Sequence, residues 1–390
     1  MASPRRYDID RLRVLAMLGV FFFHNARFFD ALPWHVKNAE KSDAAFVFVG
    51  FLSLWIMPLM MLLAGAGSWF ALRSHTAGAY VRERALRLLV PLYGVGLFVL
   101  IPPQLFWDRV TNGEWHGSFV EFYPKFFETF GWTPGFHFLD FWTGHLWFLR
   151  MLFLFSLAGL PLLLALRSGR GARVVSALAR ACEHRGVVFL FGIPIAAVQI
   201  GLKPLWPGDH AGAEFFFLLA FFLLGYLLVA DERFTRAVVR HALASGILAA
   251  AGTAALLYLV FGCKYAGWQR PDWSPACGVF FGVAALTSWS WVLHFLGLGA
   301  RFLNFDSNAL AYANEAVLPF YVLHQTAILA VGSYVVTWDA AMGVKYAVIT
   351  AASFVLIMLL YELAIRRVSW LRRLFGMRRA QSATVQAPRT

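Results

Sequence analysis

Arg13 and His24 stand eleven residues apart in RLRVLAMLGVFFFHNARFF, residues 11–29, a stretch apolar enough to cross a membrane. At about 100° and 1.5 Å per residue, both side chains fall on nearly one helix face, roughly 16 Å apart along the axis. Ionisable groups inside a span are costly and face a bundle interior or a cavity, so both are functional candidates. The plainer readings are an interfacial anchor for Arg13 and an interhelical hydrogen bond for His24. Arg84 and Arg87, in YVRERALRLLVP, residues 80–91, are three apart and share one face of a second helix. Their planar forks suit phosphate, although positive anchoring of a cytoplasmic loop uses the same residues. A ligand whose phosphates are held by Arg13, Arg84 and Arg87, and whose thin arm reaches toward His24, has the shape of coenzyme A. A histidine at the end of that arm, largely neutral at cytosolic pH, would act as general base on an incoming hydroxyl.

Other polar residues sit where lipid is expected. In GHLWFLRM, His145 and Arg150 enter a span from outside, and Arg150 lies about one and a half turns deep, too far in to snorkel. It calls for an anion, either the carboxylate of an acyl group or one from the protein. His324, beside Gln325, is about eight residues into a later span, where it would bond a neighbouring helix or touch the acyl or oxyanion group. Glu362 and Arg366 are four apart, and a local ion pair accounts for them.

These residues need helices in a bilayer to position them. The chain has 390 residues, 60% hydrophobic and 14% charged, with a mean hydropathy of +0.63. This predicts an all-α integral membrane protein of about ten transmembrane helices. Apolar runs place spans near 12–30, 45–72, 86–106, 145–166, 187–202, 214–230, 242–262, 276–299, 316–338 and 344–365, the fifth short, ending near Pro204, and so tilted or broken. With both termini cytoplasmic, most of the 34 Lys and Arg residues fall in inside segments, and the net charge of +13 then reflects the cytoplasmic face rather than nucleic acid. The first span reads as a retained anchor, and no repeat of 20 to 50 residues is evident. The reading gives a transmembrane domain over 8–366 and a basic cytoplasmic tail, 367–390, expected to be disordered.

At this point the chain resembles the acyltransferase 3 family of polytopic membrane acyltransferases, in the branch of glucan biosynthesis protein C. The resemblance rests on a basic residue, ten residues and a histidine in the first span (Arg13 and His24), on Arg-x-x-Arg before the third span (RALR, Arg84 to Arg87), and on DIDRLRVLAM, GHLWFLRMLFLF and LPFYVLHQ. It covers nearly the whole chain. It implies ten spans and O-acyl transfer, acetyl or succinyl, from cytosolic acyl-CoA to a hydroxyl of an extracytoplasmic carbohydrate such as periplasmic glucan, in a bacterial inner membrane. No fused soluble esterase-like domain is visible.

His24 is therefore the expected catalytic base and Arg13, Arg84 and Arg87 the expected acyl-CoA site, with His145, Arg150 and His324 as candidate acyl or oxyanion contacts. Acyl-CoA is a co-substrate, the bilayer and a carbohydrate acceptor are the other partners, and no metal is expected, since His116, His137 and His210 lack ligand spacing. Cys263 and Cys277 fall at external span ends and read either as a bridge or as two thiols, while Cys182 should be free. The aromatic external segment 107–144 contains SFVEFYPKFFETF, which reads as an interfacial amphipathic helix or a sugar-stacking platform. Asp306 and Ser307 are expected as caps or turn formers, Pro319 as a kink at the start of the ninth span, and Glu315 as a counterion to the donor arginines. The rival classes are a transporter or flippase for a glycan or small anion, with His24, Arg150 and His324 lining a path, and a glycan-sensing scaffold that would tolerate loss of the histidines.

Overall fold

A computed structural model describes residues 5–129, 143–208 and 212–377. His137, Asp140, His210 and tail residues 378–390 lie outside them. The described residues form α1 (Tyr7–Ala26), α2 (Asp43–Ser74), α3 (Ala77–Thr111), α4 (Phe119–Thr129), α5 (Trp147–Ala158), α6 (Leu160–Arg167), α7 (Gly169–Ala181), α8 (Val187–Leu202), α9 (Gly212–Leu228), α10 (Glu232–Gly262), α11 (Pro275–Phe302), α12 (Asn308–Val335), α13 (Met342–Ile365) and α14 (Ser369–Leu374). Six of them, α2, α3 and α10 to α13, are long and apolar enough to cross a membrane, and α5 with α6 makes a seventh if the bent pair is one span. Helices α1, α8 and α9 occupy the other three expected positions. The first carries Asp8, Asp10, Arg11 and Arg13, and the other two are short.

Side-chain oxygens start several of the helices. Ser42 accepts from the Ala45 amide at 3.3 Å, Asp231 from Arg233 at 2.9 Å, Ser274 from Cys277 at 3.2 Å and Ser307 from Leu310 at 3.2 Å, each supplying an acceptor that a first helical turn lacks. Ser307 thus caps α12 as expected, whereas Asp306 accepts from the Tyr7 hydroxyl. The fifth expected span is short, Val187–Leu202, and the fourth is bent, α5 and α6 meeting at 46°. Pro161 at the second position of α6 lacks the N–H that would bond back into α5, and its ring crowds the preceding turn.

Helix α1 is central, packed on α2, α11, α12 and α13. Glycine permits the closest crossing: a Cβ on Gly65 of α2 would lie 1.8 Å from the Phe222 carbonyl oxygen of α9, and one on Gly225 would lie 1.9 Å from that of Leu62. With water absent from the core of a bilayer, such backbone contact is a main source of helix association. Large side chains point outward along the girth, Leu243 of α10 being 75% exposed, as lipid-facing residues are. The end of the bundle lies against α3, where Gly376, just past α14, packs on the backbone of Arg87. Glu315 faces the same end but pairs with Arg372 at 2.8 Å and Arg366 at 3.7 Å, not with Arg13, Arg84 or Arg87. Arg366 also meets Glu362 at 3.1 Å. All three cysteines are free, Cys182 and Cys277 buried and Cys263 exposed.

Candidate active site

Two cavities enter the bundle from opposite ends. The first, about 410 Å³, is walled by α1, α2, α3, α5 and α12 and holds Arg13, Arg84 and Arg87 together with Ser74, His75, Glu83 and Asn314. Ser68 of α2 accepts from the Arg84 guanidinium at 3.0 Å and from the Tyr80 hydroxyl at 2.9 Å, and the guanidinium also lies 5.1 Å from the Tyr80 ring centre. Arg13 is 3.2 Å from Asp10 and Arg87 is 3.8 Å from Glu83, so each arginine is aimed by a neighbour while still lining the cavity. Asn314, which sequence reading passed over, lines the same space with both amide atoms buried and no hydrogen-bond partner. A buried amide with neither donor nor acceptor satisfied is costly unless a ligand completes it.

The second cavity, about 760 Å³, contains His24, His145 and Arg150, together with Arg27, Trp34, His35, Trp147, Glu214, Trp268 and Gln325. The expected residues therefore divide. The three arginines meet in one chamber and His24 faces the other, although Arg13 and His24 do share one face of α1. Only a thin septum separates the chambers. On α1, Met17 lines the first and Val20 the second; on α12, Tyr321 lines the first and Gln325 the second; on α5, Phe148 and Leu149 alternate with Trp147 and Arg150. Three to four residues of helix amount to about 5 Å.

The wall near His24 is a polar network inside an apolar bundle. His145 is held at both nitrogens, donating from Nε2 to the Val322 carbonyl at 3.0 Å and accepting at Nδ1 from Gln104 at 3.1 Å. Gln104 also donates to Thr326 at 2.7 Å and accepts from Gln325 at 3.1 Å, and Gln325 reaches His35 Nε2 at 3.1 Å. His35 Nδ1 lies 3.2 Å from Asp108. His324 is fully buried between these groups, with ring centres 5.0 Å from His24 and 4.9 Å from His145. Its Nδ1 meets the carbonyl of Tyr321 on its own helix, so the expected bond to another helix does not form there.

The segment after α1 delivers Trp34 and His35 to this chamber. Asp30, fully buried, accepts from Arg27 at 2.6 Å, from Lys37 at 2.9 Å and from the Leu32 amide at 2.7 Å, while Arg27 donates to the Pro33 carbonyl at 2.6 Å. The i, i+3 spacing of Arg27 and Asp30 was the available signal, but only the folded loop brings Lys37 to them. Removing one partner of a buried ionic cluster costs about 3–5 kcal/mol. Asp30→Ala is expected to lower the thermal midpoint in detergent markedly and to change Trp34 fluorescence. An unchanged midpoint would contradict the clamp. Helix α4 turns Phe122 and Phe126 inward and leaves Val120 80% exposed, so this helix is amphipathic as expected, yet it lines neither chamber. Among the described residues, no group of three or more His, Cys, Asp or Glu could hold a metal ion.

The described residues thus form a helical bundle with chambers entering from both ends and a histidine cluster at their partition. The chain belongs to the acyltransferase 3 family, whose acyltransferase domain matches residues 6–362. It is a membrane protein and an acyl-transferring enzyme. It is similar to glucans biosynthesis protein C of Salmonella schwarzengrund (strain CVM19633), Salmonella typhi and Salmonella typhimurium (strain LT2), in each case 22% identical over 349 residues, covering 85% of both chains. No solved structure matches.

Proposed function

We propose that the protein transfers an acetyl or succinyl group from cytosolic acyl-CoA to a hydroxyl of an extracytoplasmic carbohydrate, glucan being the class named in the similar proteins, in a bacterial inner membrane. The observation that carries this reading is the pair of chambers that nearly meet, one lined by three arginines and the other by histidines and tryptophans. Arg13, Arg84 and Arg87 hold the phosphates of the donor, and Asn314 exchanges hydrogen bonds with amides of its arm. The thioester reaches the septum beside Met17, Phe148 and Tyr321. From the opposite chamber the acceptor sugar stacks on Trp34, Trp147 or Trp268, each of which offers an apolar face and a polar edge.

Chemistry then needs little displacement. The acceptor oxygen attacks the thioester carbonyl as His24 takes the hydroxyl proton; the new C–O bond forms, the C–S bond breaks, and the proton passes to the departing sulfur to give free coenzyme A. Arg150, which lines the same chamber as His24, stabilises the oxyanion or, with a succinyl donor, the distal carboxylate. Two chambers divided by a septum are also the geometry of alternating access, which favours transport as the second reading.

Proteoliposomes separate the two. Labelled acetyl- or succinyl-CoA is supplied on the side of Arg84 and Arg87, and a mixed glycan extract on the other. Ester label on the glycan with stoichiometric free thiol is expected. Glycan or anion movement without thioester cleavage would favour the transporter instead.

A further inference from the structure

Two buried nitrogens in the partition have no hydrogen-bond partner, His24 Nδ1 and His324 Nε2, and they belong to rings whose centres stand 5.0 Å apart. The remaining nitrogen of His324 fixes how they can be used. His324 Nδ1 lies 2.5 Å from the carbonyl oxygen of Tyr321, and a carbonyl only accepts. The proton of neutral His324 is therefore on Nδ1, and its Nε2 carries a bare lone pair. His145, the other imidazole in contact with His324, has both nitrogens engaged and does not compete. With His324 held by Tyr321, it is the His24 ring that turns to bring its Nδ1 toward His324 Nε2, a side-chain rotation that leaves both helices in place.

We propose that His324 is the positioning residue for His24: its Nε2 accepts the Nδ1 proton of His24, leaving His24 Nε2 as the lone pair that takes the acceptor's hydroxyl proton. The relay runs from the Tyr321 carbonyl through His324 to His24, and a neutral imidazole fills the place that a carboxylate fills in many histidine-based sites. Its neutrality suits the location, because a carboxylate buried in this partition would carry the cost of a desolvated charge. Tyr321 takes part by its carbonyl while its ring closes the arginine-lined chamber, so one turn of α12 serves both compartments.

This inference rests on the acyl-transfer reading, and the test keeps the two apart. Wild type, His24→Ala, His324→Leu and His324→Gln are assayed for ester formation in proteoliposomes, with kcat and KM for acyl-CoA determined separately. Glutamine can donate to Tyr321 and accept from His24, whereas leucine fills the space and does neither. His324→Leu is expected to lose about a hundredfold in kcat with KM unmoved, and His324→Gln to stay within about tenfold of wild type. Equal activities of the Leu and Gln variants, or a Leu variant with wild-type kcat beside an inactive His24→Ala, would overturn the positioning role alone. Wild type that forms no ester, or His24→Ala as active as wild type, would overturn the acyl-transfer reading or its base, and this inference with it.

Discussion

His24→Ala is expected to lower kcat for ester formation by about 10² to 10⁴, the range that a positioned general base contributes. Acyl-CoA affinity should be unchanged, because His24 lines the chamber opposite the one that holds Arg13, Arg84 and Arg87. The measurement is paired: thiol release and labelled ester give kcat, and calorimetric titration with the donor gives affinity. A drop in both would mean that the two chambers are one site in the working enzyme. Neither would fall if the base lay elsewhere, and His35, 3.2 Å from Asp108 and lining the same chamber, would then be the next residue to replace.

Arg84→Ala is expected to do the reverse, raising KM for acyl-CoA with little change in kcat. A charge-assisted hydrogen bond contributes about 1.5–3 kcal/mol, which corresponds to roughly ten- to a hundredfold in affinity. Arg84→Lys should recover only part of this loss, since an ammonium keeps the charge but gives up the planar fork that reaches Ser68 while stacking beside Tyr80. Arg87→Ala should act in the same direction. Arg150→Ala should leave the donor KM for an acetyl group alone, because Arg150 opens to the other chamber. A uniform effect of the three alanine substitutions would argue against separate donor and acceptor chambers.

The helical membrane bundle was legible because lipid demands long apolar helices, and composition alone carries that signal. The common face of Arg13 and His24 was legible too, since helical period fixes it. The chamber that each residue faces was not: Met17 and Val20 differ by three positions on one face, and which side of a partition they take depends on how α5 and α12 close across α1. Spacing also misplaced Glu315. It stands near the donor loop in the order of inside segments, but α14 brings Arg372 closer. Asn314, His35 and Gln104 went unread as site residues because each looks like an ordinary polar residue near a span end; burial without a partner, or a network assembled from distant segments, marks them only in three dimensions. The bend between α5 and α6 was readable in principle from Gly159 and Pro161, which flank Leu160 inside an apolar run.

The thin partition between the chambers also has an electrical meaning. Where solvent penetrates from both ends, a membrane potential does not fall evenly over the bilayer; it is concentrated across the few ångströms that remain dry. A unit charge crossing that layer experiences nearly the full drop, about 2.3 kcal/mol per 100 mV. In the orientation proposed above, with the arginine-lined chamber on a cytosolic side held negative, an acyl group bearing a carboxylate would be drawn outward by the field, whereas a neutral acetyl group would be indifferent to it. The enzyme's response to an imposed voltage would therefore report the charge of its acyl cargo.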